Sequence, residues 1–206
     1  MIKKFFIFYF LFFIFILSGC SSQLLTDKKE AVMKNKILMV VAPLDFRDVE
    51  YFTPKKIFED EGFAVSTASI QSGTARGADG GEVKIDLTVS QADPANFTAV
   101  VFVGGPGMAQ ISDDESLQAL AIKFVKAGKL TTAICVAPAV LARAGLLVGK
   151  EATSHSDAKQ VLEDKGALFS DQPVVVSDKI ITANGPEASE EFGRQIVEKL
   201  KAFSNN

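Results

Sequence analysis

Thiols, carboxyls and imidazoles are the side chains that attack carbonyl carbons and move protons near neutral pH. This chain of 206 residues has two cysteines, Cys20 and Cys135, and one histidine, His155. Cys135 stands between two kinds of sequence. The five residues before it, LTTAI, have the composition of a short buried strand. After it, Pro138 opens a run of helix formers that Gly145 closes at a C-cap position. Strand, cysteine, helix is the layout of a nucleophile elbow, in which a sharp turn lifts one side chain off a strand toward a helix N-terminus. The positive end of the helix dipole favours a thiolate there, so a lowered thiol pKa is expected. The same residues also suit a small buried core cysteine, and this stretch alone leaves both readings open.

Three other features could join the thiol. Glu50 lies between Val49 and Tyr51-Phe52, early in a predicted helix. Burial beside a thiol would raise its pKa and let it donate a hydrogen bond to sulfur. Taken singly, it also reads as a solvated acid in a first helical turn. His155 follows a short predicted strand and suits either a loop position or a base. Gly104-Gly105-Pro106-Gly107 follows the apolar run AVVFV. Such a loop can bare backbone N–H groups for an oxyanion, or simply turn the chain. It lacks the Gly-Lys-Ser/Thr ending of a phosphate loop. One histidine and one unpaired cysteine do not form a ligand cluster, so no metal is expected.

These residues need elements to hold them. Residues 36–42 (KILMVVA) read as a strand covered on both faces. The spacing predicts a helix over 48–61, with Val49, Phe52, Ile57 and Phe58 as its apolar points and Gly62 at its end. Residues 64–69 form a second strand, 72–81 a Gly-rich loop, and 82–89 a half-exposed strand or hairpin. Residues 99–103 are a third buried strand. Ser112-x-x-Glu115 reads as a capping box opening a helix to Ala127, with Leu117, Leu120, Ala121, Phe124 and Val125 on one face. Residues 151–153 are a short strand, 157–165 a helix, 174–177 and 180–183 a strand pair, and 187–202 the last helix. Apolar strands alternating with helices predict an α/β domain with a mostly parallel sheet. Such sheets place their sites beyond the C-terminal ends of the strands. Glu50, the Gly104–Gly107 loop, Cys135 and His155 all follow strands, so they converge on one rim.

The first 19 residues stand apart from this domain. Lys3 and Lys4 precede Phe5–Leu17, an unbroken apolar run of thirteen with seven phenylalanines. That suits a signal-peptide core and is short for a membrane span of about 20 residues. Leu17-Ser18-Gly19-Cys20 resembles a bacterial lipobox, which implies cleavage before Cys20 and lipid on its thiol. Residues 20–35 then form a tether, and 36–203 the domain. The expected location is the bacterial cell envelope, on a membrane and outside the cytoplasm. Removing 19 residues leaves 206 − 19 = 187, enough for one domain. Removing Lys3 and Lys4 moves the formal charge from −3 to −5. No basic stripe appears, so nucleic acid is not an expected partner. With Cys20 lipidated, Cys135 has no partner within the chain, and reactivity is one reason for an exported domain to keep it.

Taken as a set, residues 36–200 resemble the PfpI family, which includes the Parkinson's disease protein with a redox-active cysteine. The motifs that carry the resemblance are Asp48-Val49-Glu50, Gly104-Gly105, Ala133-Ile134-Cys135-x-x-Pro138, Gly149-Lys150-x-Ala152-Thr153-Ser154-His155 and Ile181-Thr182-Ala183-x-Gly185-Pro186. The resemblance implies a flavodoxin-like three-layer α/β sandwich and a homodimer. It implies Cys135 as nucleophile, Glu50 as the carboxyl that touches it, and His155 near the thiol. Backbone N–H groups around Gly104, Gly105 and Val136 would form the oxyanion site. Protease-like members carry His directly after the nucleophile, where this chain has Val136. Arg47 replaces an acidic residue, Asn184 replaces Arg, and Ser156 replaces Pro.

Two functions follow from the resemblance. In the first, Cys135 attacks a small 2-oxoaldehyde or a glycated adduct, in glyoxalase or deglycase chemistry without a cofactor. In the second, oxidation of Cys135 makes the protein a redox sensor or chaperone-like binder. The missing histidine weighs against a cysteine peptidase-like hydrolase.

Overall fold

A computed structural model describes residues 35–204. The expected signal segment 1–19, the lipidation site Cys20 and the tether up to residue 34 lie outside the described residues. In chain order the first elements are β1 (Lys36–Val40), β2 (Leu44–Phe46), α1 (Asp48–Asp60), β3 (Ala64–Ser69), β4 (Thr74–Gly77), β5 (Glu82–Lys84), β6 (Leu87–Thr88) and β7 (Ala99–Phe102). Then come α2 (Pro106–Ile111), α3 (Glu115–Lys126), β8 (Leu130–Ile134), α4 (Pro138–Arg143), β9 (Glu151–Ala152), α5 (Ser156–Asp164) and β10 (Leu168–Phe169). The chain closes with β11 (Val174–Ser177), β12 (Ile180–Ala183) and α6 (Ser189–Ser204).

The main sheet has seven strands in the order β11-β12-β8-β7-β1-β3-β6. Every neighbouring pair is parallel except β11 with β12. The continuous apolar run of β1 is the reason it lies in the middle: Ile37, Leu38, Met39 and Val40 are all fully buried. A strand covered on both faces cannot alternate apolar and polar residues. Helices α1 and α6 pack together, and α3, α4 and α5 form a second group, which gives the flavodoxin-like α/β arrangement. Buried threonines inside the sheet find partners; Thr132 Oγ1 donates to the Val100 carbonyl at 3.0 Å.

Five local expectations need correction. Helix α1 buries Glu50, Tyr51, Pro54 and Phe58, while Val49 and Phe52 are about two-fifths exposed. The buried face was set by Tyr51, which donates or accepts at Thr67 Oγ1 (2.6 Å), and by the burial of an acid that apolar spacing cannot signal. Residues 72–81 are not all loop: β4 pairs with β2 and β5 in a separate three-stranded sheet. The stretch 82–89 is cut in two, with β5 in that sheet and β6 on the edge of the main one. Helix α3 is capped by Asp114, whose Oδ1 accepts from the Ser116 N–H at 2.8 Å. Ser112 belongs to the end of α2 and donates back to the Ala109 carbonyl. Finally, β9 pairs with β10 in a small two-stranded sheet outside the main one.

Candidate active site

Strand β8 delivers Cys135 to the C-terminal rim of the sheet. The residue has φ 64°, a left-handed conformation that costs a side-chain-bearing residue of order 1 kcal/mol or more. Both of its backbone polar groups are fixed by neighbours. Its N–H donates to the Ala183 carbonyl at the end of β12 (2.9 Å), and its carbonyl accepts from the His155 N–H (2.8 Å). This over-determination holds the turn, and α4 begins three residues later at Pro138. The elbow read from the sequence is present.

The sulfur contacts three of the predicted residues. The Gly105 and Val136 N–H groups donate to it, and the Glu50 carboxyl is in hydrogen-bond contact with it. Glu50 comes from the first turn of α1 and is fully buried. Its Oε2 accepts from the Gly104 N–H at 3.1 Å. Its Oε1 is buried without an N–H or O–H partner among the described residues.

Close approach explains two of the glycines. A Cβ on Gly104 would lie 2.5 Å from Cys135 Cβ and 2.6 Å from Glu50 Oε2, inside contact range of both. Gly105 has φ 110°, and a Cβ there would lie 2.4 Å from the Arg47 backbone nitrogen. The β7–α2 loop therefore fits between the β1–α1 turn and the elbow only as bare backbone. The Arg47 N–H donating to the Gly104 carbonyl (3.0 Å) joins those two segments.

An acid outside the cavity supports this turn. Asp48, two residues before Glu50, accepts from the Asp79 N–H (2.8 Å) and the Gly81 N–H (2.6 Å). Asp48 opens α1 in sequence, and its loop contacts hold the first turn that carries Glu50. In the sequence Asp48 is marked by its place in the Asp48-Val49-Glu50 motif and by acidic character at a helix start, not by its loop contacts.

The electrostatics of the pair differ from the sequence expectation. Burial lifts the Glu50 pKa to about 7, against the opposing pulls of the Cys135 contact, the Gly104 N–H and the Arg47 charge. Burial also pushes the Cys135 thiol up, to about 12, and the adjacent Glu50 carboxylate adds to the rise. The Gly105 and Val136 N–H groups act in the lowering direction but do not prevail. The expected lowering by the helix is thus overturned while Glu50 is ionised. The helix is six residues long, and the negative charge touches the sulfur. A proton on Glu50 removes that charge and supplies a donor to the sulfur. The two groups titrate as a coupled pair, Glu50 near neutrality and Cys135 well above it.

His155 has a visible structural task. As N-cap of α5, its Nδ1 accepts from the Asp157 N–H at 3.3 Å. An accepting Nδ1 places the proton of the neutral ring on Nε2, a tautomer assigned from the partner. The ring also lines a cavity of about 320 Å³ together with Arg47, Gly105, Cys135, Val136 and Pro186. The structure thus gathers Cys135, Glu50, Gly104, Gly105 and Val136 in direct contact, and brings His155 to the same cavity wall. Asp157, on the same wall, was not singled out in the sequence; an acid opening a helix carries no signal beyond capping.

The geometry has counterparts. The sequence profile of the DJ-1/PfpI family matches residues 35–199. Protein MJ0967 of Methanocaldococcus jannaschii is 38% identical over 183 residues, covering 87% of this chain and 88% of its own. The deglycase PH1704 of Pyrococcus horikoshii is 32% identical over 166 residues, covering 81% of this chain and 99% of its own. The crystal structure of a ThiJ/PfpI domain protein from Brachyspira murdochii is similar with a TM-score of 0.80 and 38% identity, over 82% of this chain and 97% of that one. A nucleophile elbow, a buried glutamate touching its cysteine and a profile match over most of the chain place this protein in the DJ-1/PfpI family.

Proposed function

We propose that this protein is a cofactor-independent, cysteine-dependent enzyme acting on small 2-oxoaldehydes or their adducts, held at a bacterial membrane by lipid on Cys20. The observation that carries the chemistry is the contact of the Cys135 thiol with a carboxyl whose pKa lies near 7, beside two backbone donors. A group poised at the operating pH both accepts and gives protons efficiently. The names deglycase, for the Pyrococcus horikoshii relative, and glutathione-independent glyoxalase, for a Caenorhabditis elegans relative, support the same carbonyl chemistry.

The reaction runs in three steps. Glu50 takes the Cys135 proton, and the thiolate attacks the aldehyde carbon to form a carbon–sulfur bond. The carbonyl oxygen becomes an oxyanion that accepts from the Gly105 and Val136 N–H groups, then receives the proton, giving a hemithioacetal. Glu50 or His155 next removes the proton from that carbon while the keto oxygen is protonated, giving an enediol. The hydroxyl on the first carbon then gives up its proton as one is returned to the adjacent carbon. The first carbon is oxidised and its neighbour reduced, so no external oxidant is needed. Water finally displaces the sulfur from the resulting thioester, releasing a 2-hydroxy acid and the free thiol. One oxyanion donor contributes roughly 3–4 kcal/mol to such a barrier.

The test is methylglyoxal consumption with lactate formation. Wild type should convert it and Cys135→Ala should not; equal rates in the two proteins would reject the reading.

Redox sensing is the second reading, favoured by the same contact. A protonated Glu50 and two N–H groups would stabilise a sulfinate on Cys135 after peroxide. Intact mass after mild peroxide separates the two, since a gain of two oxygens on Cys135 is required.

The apolar run Phe5–Leu17 followed by Leu-Ser-Gly-Cys supports export and lipid attachment. Mass spectrometry of the mature N-terminus tests it. A homodimer is part of the same reading, and its test is the mass in solution.

A further inference from the structure

A basic concavity lies at the other end of the sheet. A groove of about 480 Å³ is lined by Lys129, Lys150, Lys179 and Lys199, with one acid, Asp178, and the exposed ring of Phe203. Four cations against one carboxylate contrast with a chain whose formal charge is −3. Two of the cations are held over the aromatic ring: Lys179 Nζ lies 5.2 Å and Lys199 Nζ 5.6 Å from its centroid. Lys179 also donates to the Gly128 carbonyl (2.9 Å), and Lys150 pairs with Asp178 (3.3 Å). The ammonium groups are therefore gathered around an apolar floor that includes Val125 and Ile180. The cysteine chemistry makes no use of them.

The position of this groove says what covers it. Parallel strands β1, β7, β8 and β12 begin in one row, joined by hydrogen bonds from Thr98 to Lys36, Leu130 to Thr98 and Thr131 to Lys179. Lys36, where the chain enters the domain, thus stands on the same edge as the groove. Cys135 lies at the opposite edge, a five-residue strand or about 17 Å away. The link from Cys20 to Asn35 is 35 − 20 = 15 residues and reaches at most about 50 Å.

We infer that the Lys129–Lys199 groove docks anionic phospholipid headgroups, so that the cysteine cavity faces away from the membrane. This rests on the membrane-anchored reading above. The lysines meet headgroup phosphodiesters, while Phe203 and the lysine stems lie against the glycerol and upper acyl region. The acid at the rim, Asp178, is already paired with Lys150 and leaves Lys129, Lys179 and Lys199 in excess.

The test uses residues 35–206 without the lipid-bearing segment. The core lies wholly within 35–204, and the Pyrococcus horikoshii relative is matched over 99% of its length by this domain alone. The domain should co-sediment with vesicles of phosphatidylglycerol and phosphatidylethanolamine, but not with phosphatidylcholine vesicles. High salt should release it. The pair Lys129→Gln and Lys199→Gln should lower retention roughly tenfold or more, since each surface lysine near an anionic bilayer contributes about fivefold. An unchanged alkylation rate of Cys135 in that variant shows that the fold is intact. Equal retention on both vesicle types, or retention indifferent to the two substitutions, overturns the inference. So does saturable binding of inorganic phosphate to the same lysines without vesicle binding, which would make this a soluble-anion site. Failure of the anchor reading is separate: it appears as an unlipidated mature N-terminus, whatever the vesicles show.

Discussion

The Glu50 carboxyl and the Cys135 thiol are in hydrogen-bond contact, and the two act on each other in opposite directions. The carboxylate raises the thiol, whereas the thiol contact works to keep the carboxylate ionised. Glu50→Gln removes the negative charge and keeps the shape. The thiol pKa should then fall from about 12, and alkylation by iodoacetamide near pH 8 should speed up about tenfold for each unit of the fall. Carbonyl turnover should move the other way, by about 100-fold or more, because the proton carrier is gone. A thiol that titrates at the same pH in both proteins would disprove the coupling.

Glu50 also ties stability to pH. Its folded pKa, about 7, lies above the ordinary carboxyl value of 4.5, so between those values the folded protein holds a proton that the unfolded chain has lost. Stability therefore falls as pH rises through that window, by up to about 3 kcal/mol from this group. The sign is opposite to that of a salt-bridged acid. Urea unfolding of wild type should show a lower midpoint at pH 8 than at pH 5.5. Glu50→Gln should flatten the difference, chiefly by gaining stability at pH 8. An unchanged pH dependence in the variant would assign the effect to other groups.

Gly104 is the spacer between the same two side chains. Gly104→Ala places a Cβ 2.5 Å from Cys135 Cβ and 2.9 Å from the Ile134 carbonyl oxygen, and backbone cannot yield as a flexible side chain would. A loss of about 1–3 kcal/mol is expected, with the Glu50 contact displaced. Gly62→Ala is the comparison: its φ is 83° but nothing lies within 4 Å of the added carbon. It should cost only the backbone strain, about 1 kcal/mol, and leave Cys135 alkylation unchanged. Equal thiol reactivity in Gly104→Ala and wild type would show that the spacing is not critical.

The site was legible where one residue type has few uses, and obscure where packing decides. A lone cysteine between an apolar strand and Pro138 marked the elbow, and runs such as KILMVV marked the buried strands. The inward face of α1 is not legible from apolar spacing, because Glu50 is buried while Val49 and Phe52 remain about two-fifths exposed. Hydrophobic spacing cannot register a buried acid whose partners come from β7 and β8, far along the chain. The thiol pKa is hidden from the sequence for the same reason. A helix start is visible in sequence, whereas the carboxylate touching the sulfur is a tertiary fact. Sheet membership of β4, β5 and β9 also depends on pairing between short segments, which carry too few residues to specify a partner.

His155 combines a structural and a chemical position, and two substitutions separate them. Its Nδ1 caps α5 by accepting from the Asp157 N–H, while the ring lines the Cys135 cavity. His155→Asn keeps a side-chain acceptor at the N-cap, and His155→Ala does not. Alanine should cost about 1 kcal/mol of stability, and asparagine only a few tenths. If the imidazole moves the proton between the two substrate carbons, both variants should lose kcat by about 100-fold, with little change in KM. Stability would then separate the two variants while turnover would not. An asparagine variant with full kcat and full stability would leave His155 the role of a helix cap, and Glu50 would carry the proton alone.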